Sequence, residues 1–172
     1  MSITKTTRQF IVPIAIIVIL ASISLSTTHN NPPLPTTPTV SPMPQVITPS
    51  EVASLVNAER QKAGLAPLVE DGRLDASATD KCADMVKLDE HDHDLRDGTT
   101  PFTFIQAHVD HYLTAGENLS WNYDSAPAAV AGLMNSPGHR ANILNTSYTN
   151  VGYAVCNSAS YHNMIVQQFI GI

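Results

Sequence analysis

The strongest constraint on what this chain can fold into is a break in composition near residue 48, because what precedes it cannot build a core. Lys5 and Arg8 lead into a charge-free run from Phe10 to Leu25. A basic segment followed by an apolar one is the pattern of an export signal. Pro13 interrupts the run, which is shorter than the ~20 residues of a comfortable membrane span. Ser22, Ser24 and Ser26 offer small residues for signal-peptidase cleavage, and an uncleaved N-terminal membrane anchor is the competing expectation. From residue 30 to residue 47 the chain turns to Pro, Thr, Ser and Val. Such a stretch buries too little apolar surface to fold and favours extended, polyproline-like conformers at ~3 Å per residue. The expected organisation is therefore a signal peptide or anchor over 1–29, a Pro/Thr-rich linker over 30–47, and one folded domain over 48–172. That domain is large enough for a core of its own. Either fate of the N-terminus puts it outside the cytoplasm, secreted or tethered to the outer face of the membrane.

Charge narrows the partners. The chain carries 9 Lys and Arg against 15 Asp and Glu. Removing residues 1–29 takes away Lys5 and Arg8, leaving seven of those nine cations against all 15 acids. An acidic surface keeps an exported protein soluble and argues against nucleic acid or anionic surface polymers as electrostatic partners. Membrane contact is expected only through the N-terminal segment, and a monomer is the expected state. No glycine loop that would cradle phosphate and no coenzyme fingerprint is present. Ser120, Ser125 and Ser136 lack the strained strand-to-helix setting of an activated serine nucleophile.

Within 48–172 helices come first and strands late. Thr48-Pro49-Ser50-Glu51 is a capping box with proline at the first helical position. Val52, Leu55, Val56 and Ala63 follow near-helical spacing, and Gly64 closes the helix. A second helix is predicted from about Arg73 to Leu88, with Leu74, Ala78, Cys82 and Met85 on one stripe. A short helical segment near Pro101–Gln106 and an alanine-rich helix over Ser125–Met134 follow, and Ser136 is expected to cap another short helix. Val151–Cys156 and Met164–Ile170 read as strands joined through Asn157-Ser158-Ala159-Ser160. The class is α+β. Cys82 and Cys156 form an even count in an oxidising compartment, so one disulfide is the default, closing a loop of about 75 residues. A buried free thiol at Cys82, on its apolar helix stripe, is the alternative.

Two short stretches carry the functional reading: Gly116-Glu117-Asn118, and Ser136-Pro137-Gly138-His139-Arg140-Ala141-Asn142-Ile143-Leu144. In this order and spacing they resemble the bacterial branch of the CAP superfamily, also called SCP-like proteins. The likeness extends from Leu55-Val56-Asn57-Ala58-Glu59-Arg60, through Gly64-Leu65-Ala66-Pro67-Leu68, to Val151-Gly152-Tyr153. It implies a three-layer α-β-α sandwich around a small, mostly antiparallel sheet. Part of that sheet must then come from between His93 and Ser120, where strand signals are weak.

The resemblance also implies a central cavity lined by His93, Glu117 and His139. His139 falls in the first turn of its helix, where the positive end of the dipole favours a neutral imidazole. His93 and His139 with the Glu117 carboxylate could hold zinc or another divalent cation. Many members add a second glutamate. This chain reads Gly132-Leu133-Met134-Asn135 there, with no acid and no tryptophan, which weakens both cation affinity and paired acid/base work. Alternatively, Glu117 and His139 bond each other or nearby backbone and lock the loop to the sheet. His91 and His93 alternate with acids, and His108 and His111 lie nearby; a solvated loop is the simpler account of both. The resulting expectation is an exported binding module taking lipid or protein ligands. The competing one is a metal-assisted hydrolase of extracellular peptide or cell-wall material, with Glu117 as base. A third is a display role, in which the linker presents the domain at the cell surface.

Overall fold

The computed structural model describes residues 46–172. The predicted signal or anchor, and all of the predicted linker but Val46 and Ile47, lie outside the described residues. Ile47 is 4% exposed and belongs to the core, so the folded domain begins just before the first helix. Among the described residues no helix is long and apolar enough to cross a membrane.

The elements run α1 (Pro49–Lys62), β1 (Val69–Glu70), α2 (Gly72–Leu88), α3 (Pro101–His108), β2 (Thr114–Ser120), α4 (Ala126–Asn135), α5 (Pro137–Ile143), β3 (Asn150–Cys156) and β4 (Met164–Gly171). Local chemistry starts most of the helices. Thr48 Oγ accepts from the Glu51 amide at 3.3 Å, and the Asp71 carboxylate accepts from Arg73 N at 3.0 Å. Thr100 and Thr103 form a reciprocal capping box that the sequence reading did not find. Ser125 caps α4 at 3.4 Å. Ser136 differs from expectation: it stands at the N-cap of α5, but its hydroxyl makes no capping bond. The same residue also ends α4, donating its amide back to Gly132 and Leu133.

The sheet order is β1-β3-β4-β2, with β1–β3 parallel and the other pairs antiparallel. Helices cover both faces. On one, α2 and α3 pack a core of Ala78, Met85, Phe104, Leu119, Met164 and Val166. On the other, α1, α4 and α5 enclose Val52, Val56, Val130, Leu133, Ile165 and Phe169. The domain has the α+β, three-layer arrangement that the resemblance implied. β4 is buried along its whole length and forms the spine of the sheet.

Two differences from the expected elements have physical causes. β2 has a weak strand signature because Thr-Ala-Gly-Glu-Asn-Leu-Ser is polar, yet it pairs continuously with β4 from Thr114↔Gly171 to Ser120↔Ile165. The β3–β4 connection runs on to Asn163, whose φ of 48° sets the chain into β4. Asp89 holds that longer loop, accepting from the hydroxyls of Ser158 and Ser160 at 2.6 Å each. Cys82 and Cys156 form a disulfide that joins α2 to the end of β3, with Cα atoms 6.1 Å apart.

The motif residues upstream of the site are structural clamps. Asn57 and Leu68 exchange side-chain and backbone hydrogen bonds at 3.1 and 2.8 Å, fixing α1 to the turn that follows it. Arg60 is buried and donates to the carbonyls of Ala66, Ile143 and Asn145 at 2.8–2.9 Å. It thereby anchors the chain leaving α5 to α1.

Candidate functional site

Successive side chains of a strand point to opposite faces of its sheet, so β2 sends Glu117 and Asn118 to different layers. Glu117 faces the α2 side and is 7% exposed. Its Oε1 lies 2.9 Å from His93 Nδ1, and its Oε2 accepts from Gln168 Nε2 at 3.0 Å. Gln168 in turn accepts from Ser77 Oγ at 2.6 Å. The result is a continuous polar chain, Ser77–Gln168–Glu117–His93, running from α2 across the sheet to the loop after α2. Directly beneath, the fully buried Lys81 donates from Nζ to the His93 carbonyl at 2.6 Å, with its ammonium 5.5 Å above the Phe104 ring.

Asn118 faces α5 and laces the two motifs together. Its Nδ2 donates to the His139 carbonyl at 3.1 Å and to Gln167 Oε1 at 3.0 Å. Asn142 Nδ2 donates back to Asn118 Oδ1 at 2.9 Å and to the Glu117 carbonyl at 3.1 Å. Gly116 is required beside them: a Cβ there would lie 2.3 Å from the Tyr148 hydroxyl, which donates to the Ala115 carbonyl at 3.0 Å. The Gly-Glu-Asn triplet therefore combines a close approach, a carboxylate for one layer and an amide for the other.

The predicted trio is thus divided. His93 and Glu117 are in contact, and the hydrogen bond to Glu117 raises the His93 pKa against the opposing effect of burial. The His139 ring makes no hydrogen bond with the described residues. Burial, and then the charge of His93, lower its pKa and favour the neutral imidazole. Among the described residues no three His, Cys, Asp or Glu side chains converge as ligands for one ion. Glu117 has a protein partner at each carboxylate oxygen, and His93 is engaged with it through Nδ1.

A cleft of about 220 Å³ opens beside His139, bounded by Leu119, Ser120, Trp121, Leu133 and Ser136. Trp121 stands at its mouth, 43% exposed, with His91 packed on it at 4.0 Å between ring centroids. Burial lowers the His91 pKa and favours the neutral ring that packs on the indole. His108 lies elsewhere, paired with Asp80 at 2.7 Å.

Sequence reasoning missed Lys81, Gln168 and Ser77 as parts of the site. Signals existed: Lys81 lies on the helical stripe of Leu74, Ala78 and Met85, and Gln167-Gln168 interrupts an otherwise apolar strand. Each is a polar residue in a position that burial should have reserved for an apolar one.

Residues 53–169 match the family described as CAP, the cysteine-rich secretory protein family. The chain belongs to the CAP family. YkwD of Bacillus subtilis (strain 168) is 40% identical over 121 residues, covering 70% of this chain and 46% of that protein. YlbC of the same organism, described as a membrane protein, is 34% identical over 122 residues, covering 70% and 35%. The chain thus spans less than half the length of either relative. Among solved structures, an extracellular SCP-domain protein of Bacillus anthracis str. Ames superposes with a TM-score of 0.65 at 28% identity, covering 72% of this chain and 40% of that one. An outer surface protein of Borrelia burgdorferi shares the fold, with a TM-score of 0.65 at 22% identity over 75% of this chain and 98% of its own.

Proposed function

We propose that this CAP domain works outside the cytoplasm as a binding module, and that the Ser77–Gln168–Glu117–His93 chain is a rigid wall of its site. The observation that carries this is the burial of Glu117, which is 7% exposed and held by a partner at each carboxylate oxygen. A general base needs a lone pair aimed at a substrate proton. Here one carboxylate oxygen accepts from His93 and the other from Gln168. An extracellular setting is supported by the disulfide, by the export-like N-terminal run and by the extracellular and outer-surface descriptions of the two solved structures. The N-terminal segment, cleaved or retained, decides between a secreted domain and one tethered to the membrane.

The rival is a metal-assisted hydrolase, favoured by one observation: the unpartnered, neutral-biased ring of His139. Two measurements on the full chain separate the readings. Zinc titration by calorimetry, beside a His93→Ala/His139→Ala variant, is expected to show no binding that the variant loses. Cell-wall fragments and peptides are expected to yield no turnover that Glu117→Gln abolishes. Zinc-dependent turnover, lost in Glu117→Gln while the fold persists, would sink the binding-module reading.

A further inference from the structure

Trp121 is the protein's single tryptophan, and it is 43% exposed rather than part of either core. It is nevertheless fixed in place. His91 packs against the indole at 4.0 Å between ring centroids, and Tyr161 meets it edge-on at 6.2 Å. The backbone that follows it is tied down as well. Asn122 takes a φ of 60°, a left-handed conformation that asparagine tolerates. Its amide donates to the His162 carbonyl at 2.6 Å, and its Oδ1 accepts from the His162 amide at 2.9 Å. Asn163 Nδ2 donates to the Tyr123 carbonyl at 2.9 Å. An exposed aromatic ring braced in this way has little freedom left to lose on meeting a ligand.

The cleft beside this ring carries four polar side chains without a charge: Ser120, Tyr123, Ser136 and His139. No hydroxyl or ring nitrogen among them has a hydrogen-bond partner within the described residues. Ser120 is the least exposed of the four, at 5%, so its hydroxyl gains most from a partner. Gly132 makes room for the Tyr123 phenol, since a Cβ there would lie 2.0 Å from its oxygen. Each hydroxyl offers a donor and two acceptor sites, and the His139 ring, biased to its neutral form by burial, offers one of each.

Charge, shape and size then select the occupant. No ionised group lines the cleft, so a charged ligand would lose its hydration without a counter-charge. The excess of acids over cations in the chain repels polyanions as well. An acyl chain or any other wholly apolar group would leave the four polar side chains against methylene groups, unpaired. An uncharged pyranose ring meets both demands. Its C–H face covers an indole, and its hydroxyls, each donor and acceptor, answer the polar side chains. At about 220 Å³ the cleft is smaller than the about 300–1,000 Å³ of pockets for drug-sized molecules, which suits roughly one such ring.

We infer that the cleft between Trp121 and His139 is a subsite for one ring of an uncharged saccharide, stacked on the indole and hydrogen-bonded to Ser120, Tyr123, Ser136 and His139. This deepens, and rests on, the binding-module reading. Because Trp121 is the only tryptophan, its fluorescence reports on the site in the full chain without a label. Titration with cellotriose and with tri-N-acetylchitotriose should change that emission to saturation for at least one of the two. Trigalacturonate, an acidic trisaccharide, and choline, which would meet the indole through its charge alone, should leave it unchanged. In calorimetry with the saccharide that binds, Trp121→Ala should weaken affinity about tenfold or more, the scale of a truncated aromatic anchor. The inference is overturned if neither neutral trisaccharide changes the emission, if trigalacturonate or choline changes it equally, or if folded Trp121→Ala binds like the unaltered protein. Where Trp121→Ala does not fold, side-chain NMR of the unaltered protein decides: the saccharide must shift the Trp121 and His139 ring protons together, and a shift at Trp121 alone overturns the inference. Zinc-dependent turnover lost in Glu117→Gln would overturn the binding-module reading and leave zinc-free saccharide binding in place. Absent saccharide binding would remove this subsite alone, so the two failures are distinguishable.

Discussion

A carboxylate placed in the middle of a sheet, as Glu117 is, needs partners to offset its lost hydration. His93 and Gln168 supply them, and the effect is visible on His93. A histidine with a raised folded pKa stabilises the fold fully below its ordinary value of about 6.5, and that contribution disappears as pH climbs through the raised value. The His93 imidazole should therefore titrate above 6.5 and His139 below it, as their neighbours dictate. Ring-proton NMR against pH checks both. Glu117→Gln should bring the His93 midpoint down, because the charged acceptor is gone; an unmoved midpoint would show that Glu117 does not hold His93. The individual partners of Glu117 were only half legible. Its motif neighbour Asn118 and the helix of His139 stood out by pattern, whereas Gln168 and Lys81 acquire their roles from strand register and helix packing across long separations in sequence.

At the scale of elements, α1, α2 and α4 were readable because their caps and apolar stripes are local. The strands at the margins of the sheet were not. β1 is two residues long, and β2 is a strand because β4 offers it a complete ladder, not because its own residues prefer one. Packing between elements also depends on a missing side chain at Gly152. A Cβ there would come within 2.2 Å of the Leu74 carbonyl carbon and 2.4 Å of the Asp75 amide. Gly152→Ala must push α2 off the sheet and should cost about 1–3 kcal/mol or more in denaturant unfolding. A neutral result would mean that α2 has room that this packing does not show. The displacement would also loosen Ser77 from Gln168, so the His93 titration should move in the same variant.

Across the whole molecule, the disulfide is the side-chain cross-link between the α2 layer and the sheet, closing a sequence separation of 74 residues. The chain-entropy account gives it about 4 kcal/mol for a loop of that size. Replacing both Cys82 and Cys156 by Ser should lower the calorimetric Tm by several degrees for each lost kcal/mol, with the secondary structure retained at low temperature. An unchanged Tm would place the stability of the layer in its apolar core alone. That core has ample resources, since helices cover both faces of a fully buried β4.

The sequence by itself determined the composition break before the domain, the α+β class, the main helices and the family motifs, because caps, stripes and short motifs are properties of neighbouring residues. Only the tertiary structure decided that Glu117 and Asn118 serve opposite layers, that Lys81 and Gln168 belong to the site, and that β2 ends beside a cleft with an unpaired Ser120 hydroxyl. Strand pairing and burial bring together residues far apart in the chain, and no local preference encodes which buried side chain is left without a partner.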